Sequence, residues 1–337
     1  MTQKMEIIFH IGMGKTGTSS IQTALNANID SLREQGVDYL GMWFDSIDPA
    51  LRDDDLQRKF FLSSMDRLDA VADRFLTALQ QKQADSGISR FLLSNEALLQ
   101  QHSAFEPFIM YLRRRATVRL IVYARDPRDW LPSAYNQWFV YHKTSDGPIP
   151  PYAEGGRSLL QMYADLNAWL RACNDITTVR PFSKSMDVVA DFASVLGVEM
   201  EIPQARSLER VESSESLLRA VYNARLSGVA LPDRFNHAFR HLEFARSPSI
   251  AALVRDSFTY TQTDEIVADH ASLFEEIKAH IGIDLLRGPA PKQKTVDQEE
   301  MRERALEHVL HIVMQQADRI THLEEIVGRL QAERDQE

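Results

Sequence analysis

The sequence predicts an α/β fold: a parallel sheet flanked by helices on both faces, then a mainly helical region and a coiled-coil tail. Short apolar runs ending in polar turns alternate with segments of helical periodicity from Met5 to about Val198. One of these runs, "MEIIFHIG", reads as a continuous apolar run ending in glycine and another, "TVRLIVYARDP", is the most apolar of the chain, as strands buried on both faces are. Beyond Lys294 the pattern changes to a seven-residue repeat.

"MEIIFHIG" reads as a buried parallel strand. In "TGTSSIQTALNANIDSLREQG", Ile21, Leu25, Ile29 and Leu32 stand at helical spacing, and Gly36 supplies a C-terminal stop. "GVDYLG" is expected as a second strand, Asp45 to Asp55 as a loop, and Gln57 to Lys82 as a helical region. "SRFLLSNEALL" gives a strand at Phe91 to Leu93 that ends in Ser94, Asn95 and Glu96. A helix around Phe105 to Arg115 leads to "TVRLIVYARDP", and "ITTVRPFSK" and "DVVADFASVLGV" read as a final strand and a glycine-stopped helix. Ligands of such sheets bind beyond the carboxyl ends of the strands, where "HIGMGKT", "SNE" and "ARDPRD" all fall.

The α/β domain is expected over 1–286, with 209–286 mainly helical and broken at "LSGVALPD". A basic, proline-rich linker follows at 287–296, then the tail at 297–337. In the tail Leu306, Val313, Ile320 and Val327 share one heptad position and Val309, Leu323 and Leu330 the other, with Gln316 as the polar exception. That seam, over about 303–333, is expected to pair with itself in a homo-oligomer or with another coiled coil, although a helix folding back on its own domain shows the same periodicity.

A net charge of -10 argues against nonspecific binding of nucleic acid or anionic membrane, both of which need clustered Lys and Arg. The single cysteine, Cys173, leaves no partner for an intramolecular disulfide and no cysteine-based zinc site, and reads as a small core residue. No apolar run approaches the roughly 20 residues of a membrane span, and the N-terminus resembles neither a secretory signal nor a transit peptide. The expectation is a soluble, cytoplasmic protein.

The stretch "FHIGMGKTGTSSIQ" is built to hold an anion. Gly12, Gly14 and Gly17 let backbone N–H groups approach closely, and the helix start adds about half a positive charge. Lys15 supplies a full charge, and Thr16, Thr18 and Ser19 add hydroxyl donors. A Walker loop would need glycine five residues before Gly14, where Phe9 stands. In "ARDPRDWLPSAYNQW", Asp126 can cap a helix that opens at Pro127, and Pro132 is expected to interrupt it. Arg125 at the strand end and Ser133 two turns on can close around one phosphate; the plainer alternative pairs Arg125 with Asp129 and turns Ser133 to solvent.

"HIGMGKTGTSS" after a first strand, with R-D-P-x-x-x-x-x-S after a later one about 110 residues on, resembles the sulfotransferases that use 3'-phosphoadenosine 5'-phosphosulfate (PAPS). The likeness is strongest to bacterial members related to the carbohydrate enzymes. It implies a P-loop-type sheet and PAPS as donor, with Lys15, Gly17, Thr18 and Ser19 holding the 5'-phosphosulfate. It likewise implies that Arg125 and Ser133 hold the 3'-phosphate. No metal is required, because a sulfonate carries less charge than a phosphoryl group.

Lys15 is then the electrostatic partner for charge developing on the bridging oxygen, a role Thr18 or Ser19 can share. Glu96 is the candidate general base for the acceptor hydroxyl or amine, with His10 and, more remotely, His142 as alternatives; Glu96 also suits a plain helix-start carboxylate. Trp130, Tyr135, Trp138 and Tyr141 offer flat surfaces for a carbohydrate or other small acceptor, at spacings that equally suit core packing. Two other functions fit part of the pattern. "GKT" suits a small-molecule kinase using ATP and magnesium, and the heptads suit a non-catalytic scaffold.

Overall fold

The computed structural model describes residues 4–64, 67–201, 213–224, 226–229, 231–232, 235, 250–288 and 297–334. The chain divides into two units. The first comprises Met1–Ala134, Gly156–Glu209 and Gln262–Lys292; the second comprises Tyr135–Gly155, Arg210–Thr261 and Gln293–Glu337.

The first unit is an α/β sandwich around a five-stranded, wholly parallel sheet of order β2-β3-β1-β4-β5. Its strands are β1 (Glu6–His10), β2 (Val37–Tyr39), β3 (Arg90–Ser94), β4 (Thr117–Arg125) and β5 (Thr177–Phe182). The central strands are β3, β1 and β4, the apolar runs of the sequence. In register, Ile8 stands beside Leu92 on one side and Arg119 on the other. Because β1 leads away toward β2 and β4 toward β5, the connections diverge between β1 and β4, and a crevice opens there at the carboxyl ends.

Helix α1 (Thr18–Ala27) and α2 (Ile29–Glu34) follow β1. Ile21, Ala24 and Leu25 of α1 join Ile8, Leu92, Ile121, Tyr123 and Phe192 in the core on one face of the sheet. The opposite face is dominated by phenylalanines: Phe44 packs against Phe9, Phe61, Phe75, Phe105 and Phe108 with ring centroids 5.2–6.3 Å apart. Phe61 comes from α3 (Asp54–Ser63), Phe75 from α4 (Leu68–Ser86), and Phe105 and Phe108 from α6 (His102–Leu112), which the short α5 (Ala97–Gln100) precedes. The helical region expected over Gln57 to Lys82 is thus two helices, parted where the Ser63 hydroxyl turns back on the Phe60 carbonyl at 3.0 Å.

Beyond β4, α7 (Pro127–Tyr135) passes through Pro132 without ending, contrary to the expected interruption. Proline removes one hydrogen bond, and here that loss falls within a short helix whose first turn is well capped. Helices α8 (Tyr152–Leu159) and α9 (Gln161–Cys173) precede β5, and α10 (Val188–Leu196) follows it, ending as expected at Gly197 in the left-handed conformation.

Within the second unit a π-helical turn, Asn136–Tyr141, stands near α11 (Ser213–Asn223), and Asn223 bonds the Val140 carbonyl at 2.7 Å. Next comes α12 (Ile250–Ser257); α13 (Thr263–Ala268) and α14 (Ala271–Ile281) return to the first unit. One long helix, α15 (Gln298–Arg334), carries the heptads, while most of the expected linker at 287–296 lies outside the described residues. Among the described residues no helix is long and apolar enough to cross a membrane.

Candidate active site

The loop from Ile11 to Gly17 crosses the carboxyl end of β1 and turns into α1. Its shape depends on left-handed backbone at Gly12 (φ 40°), Lys15 (φ 65°) and Gly17 (φ 85°). Two of these places require glycine. A β-carbon on Gly17 would lie 2.7 Å from Val188 Cγ1, and one on Gly12 would lie 3.1 Å from Thr18 Oγ1 and 3.2 Å from Glu96 Cβ. Lys15 has no such exemption and holds a conformation costing roughly 1–2 kcal/mol, a cost a ligand-binding loop can carry. No acidic residue stands in the first turn of α1, so its positive end is uncompensated by its own sequence.

The predicted hydroxyls part company. Thr16 is buried and donates to the Met13 carbonyl, so its hydroxyl tightens the turn itself. Thr18 is also buried, but its Oγ1 lacks a partner among the described residues. Ser19 is half-buried beside it.

The second motif arrives from β4. Arg125, 5% exposed, donates from Nη1 to the Lys15 carbonyl at 3.2 Å and from Nε to Asp129 at 2.7 Å. Lys184, beyond β5, donates to the other oxygen of Asp129. Burial opposes ionisation of Asp129, but Lys184 and Arg125 outweigh it and hold the carboxyl below its ordinary range. Arg125 therefore pairs with Asp129, the plainer of the two expectations, and also touches the loop. Asp126 caps α7 as predicted, accepting from the Arg128 amide at 2.8 Å. Ser133 lies two turns along, half-buried, and no hydrogen bond joins it to Arg125 among the described residues.

Two residues fix this junction: Trp130, which the sequence offered only as an acceptor surface or core aromatic, and Tyr163, which it did not single out. Trp130 is fully buried and donates from Nε1 to the Gly14 carbonyl at 2.8 Å; Tyr163 donates to the Arg125 carbonyl at 2.5 Å. Trp130 was legible in principle, one turn after the capping Asp126. Tyr163, on α9, left no signal. The aromatics considered for the acceptor divide accordingly: Trp130 and Tyr135 are core, while Trp138 and Tyr141 are half-buried.

The third cluster follows β3. Asn95 ties β3 to β1 by its amide (Asn95 N to the His10 carbonyl, 3.0 Å) and caps α5 by its side chain (Ala97 N to Oδ1, 2.9 Å). Glu96 makes no capping bond of its own, which leaves its carboxylate to accept from Gln22 of α1 at 3.0 Å. Gln22 also donates to the Ser94 carbonyl at 3.2 Å. The Tyr39 hydroxyl is buried without a partner among the described residues; burial first, and Glu96 second, push its pKa up to about 12.

His10 is fully buried in β1, packed on Phe192 and Tyr123, and shares a hydrogen bond of 2.8 Å with Ser94. Burial lowers its pKa to about 3, so it is neutral and a weak base near neutral pH. His142 belongs to the second unit, where Nε2 meets Gln137 at 2.7 Å. The remaining predicted residues meet at the ends of β1, β3 and β4, with Ser133 farther along α7. Among the described residues no group of His, Cys, Asp and Glu is arranged to hold a metal ion.

No protein-family model matches the sequence, and no curated protein matches it either. Among solved structures the chain is similar to a sulfotransferase domain from the curacin biosynthetic pathway, with 11% identity and a TM-score of 0.36 over 80% of this chain and 97% of that one.

Proposed function

We propose that the chain transfers a sulfonate group from PAPS to a hydroxyl, or less readily an amine, of a small acceptor such as a carbohydrate. The observation that carries this reading is the junction of the two sequence motifs: Arg125 reaches the backbone of Lys15 at the divergence of β1 and β4. A donor with phosphate at both its 5' and 3' ends needs two cationic sites side by side, and these two segments offer them.

The residues present suit such a donor. Gly12 and Gly17 keep the cradle open, the Thr18 hydroxyl, without a partner among the described residues, is available to an anionic oxygen, and Lys15 with the α1 N-terminus supplies positive charge. When bound, PAPS supplies an activated sulfonate: the new bond forms between sulfur and the acceptor oxygen, and the bond from sulfur to the 5'-phosphate oxygen breaks. Lys15 stabilises the charge left on that phosphate oxygen. Glu96, steadied by Gln22, takes the acceptor's proton. Arg125 and Ser133 hold the 3'-phosphate, Arg125 by exchanging part of its pairing with Asp129 for the ligand.

Isothermal calorimetry with PAPS, its desulfonated product, and magnesium ATP tests the reading. Binding of the first two with weak or absent ATP binding is expected. Tight ATP binding with no response to either adenosine 3',5'-bisphosphate compound would overturn it in favour of a kinase.

A further inference from the structure

Helix α15 is a single run of 37 residues, about 55 Å long at 1.5 Å per residue. Its beginning is covered within its own unit, where Met301 is 2% and Ala305 9% exposed. Its heptad seam is not: Leu306 is 61%, Val313 57%, Ile320 55% and Leu323 56% exposed. An exposed apolar seam from Leu306 to Val327, broken at Gln316 and widened by exposed Leu310 and Met314, is not a surface that stays in water.

We propose that the occupant of this seam is a second copy of the chain, paired in parallel and in register as a two-stranded coiled coil from Leu306 to Leu330. Three features of the register select this arrangement. The first heptad, Leu306 at a and Val309 at d, carries no such preference, but the last two pair β-branched Ile320 and Val327 at a with Leu323 and Leu330 at d, a combination that favours two strands.

Gln316, at d, is the second feature. In a parallel, in-register pair it faces Gln316 of the second copy, and the two amides can bond each other. An antiparallel pair sets d against a, so each Gln316 would be buried against leucine, valine or isoleucine. The third is charge. Arg319 stands at g and Glu324 at the following e position, the places that meet across a parallel dimer, so each interface carries the Arg319–Glu324 pair twice.

Light scattering on the full chain over a concentration series should give twice the chain mass. Gln316→Cys then reads the register, because the native Cys173 is buried: mild oxidation should link two chains through the new thiol. His311→Cys, on the outer f position, should remain unlinked. Arg319→Glu should shift dissociation to higher concentration, and adding Glu324→Arg should reverse the shift. A mass of one chain throughout, a mass of three or more chains, or equal linking of both cysteine variants would each overturn the proposal.

Discussion

Arg125 Nη1 lies 3.2 Å from the Lys15 carbonyl, so the side chain that ends β4 is bonded to the loop that ends β1. The same guanidinium pairs with Asp129. If the site reads a 3'-phosphate, Arg125→Lys should weaken PAPS binding by about 10–100-fold, because a point charge cannot replace a planar fork. Adenosine 5'-phosphosulfate, which lacks the 3'-phosphate, should bind both proteins alike. Calorimetry with the two nucleotides checks this; equal losses for both would assign Arg125 to loop support alone.

The local parts of this junction were legible in the sequence: the glycine turn after β1 and the Asp126 cap before Pro127 act within a few residues of themselves, so their conformations follow from spacing. What was not legible depends on distant packing. Tyr163 reaches the Arg125 carbonyl from α9, and Gln22 reaches Glu96 across 74 residues of sequence. His10 illustrates the boundary between the two: its neighbour Gly12 marks a loop, yet its own side chain follows the strand's alternation into the core beside Phe192. Pro132 marks another, since a residue that breaks helices in isolation sits inside α7.

Lys15 is expected to act on the reaction more than on binding. In the proposed transfer its charge is most needed as the 5'-phosphate oxygen becomes anionic, so Lys15→Ala should lower kcat by about 10²–10³-fold. Affinity for the desulfonated product should change far less. Steady-state rates with a generic acceptor, set beside calorimetry, separate the two effects; a loss confined to KM would mean that Lys15 only binds.

Glu96 and Gln22 make a graded pair. If Glu96 is the base of the proposed transfer, Glu96→Gln should lower kcat by about 10²–10⁴-fold. Gln22→Ala leaves the carboxylate but removes its hydrogen bond, and a bond to a charged group is worth about 1.5–3 kcal/mol, so a smaller fall of about 10–100-fold is expected. Initial rates of both variants with one acceptor at fixed pH measure the two falls, and an unchanged kcat in both would assign Glu96 a structural role.

Acid should destabilise the fold through His10 before the carboxylates titrate. Its pKa is lowered by burial to about 3, against an ordinary value of 6.5. The unfolded chain therefore takes up a proton that the folded chain refuses. The stability held by neutral His10 is complete above about pH 6.5 and is lost progressively as pH falls toward 3, by up to about 1.4 kcal/mol per unit. His102, whose pKa burial also lowers, adds to the same slope. Urea unfolding at pH 7.5 and 5 measures it; His10→Gln should reduce the slope even while it lowers stability at pH 7.5 by loss of packing.

Gly17 and Gly197 both have left-handed backbone, at φ 85° and 67°, but differ in surroundings. Nothing lies within 4 Å of a β-carbon built on Gly197, so Gly197→Ala should cost only the conformational penalty of about 1 kcal/mol. A β-carbon on Gly17 meets Val188 Cγ1 at 2.7 Å and Phe182 at 3.4 Å, so the turn must shift away from α10. Gly17→Ala should therefore cost about 2–4 kcal/mol, the conformational penalty plus that of overpacking. Because the displaced turn is the N-terminus of α1, anion binding should fall with stability in Gly17→Ala and stay unchanged in Gly197→Ala. Unfolding midpoints and calorimetric affinity for adenosine 3',5'-bisphosphate on both variants decide it; equal stability losses in the two would show that the contact with Val188 relaxes freely.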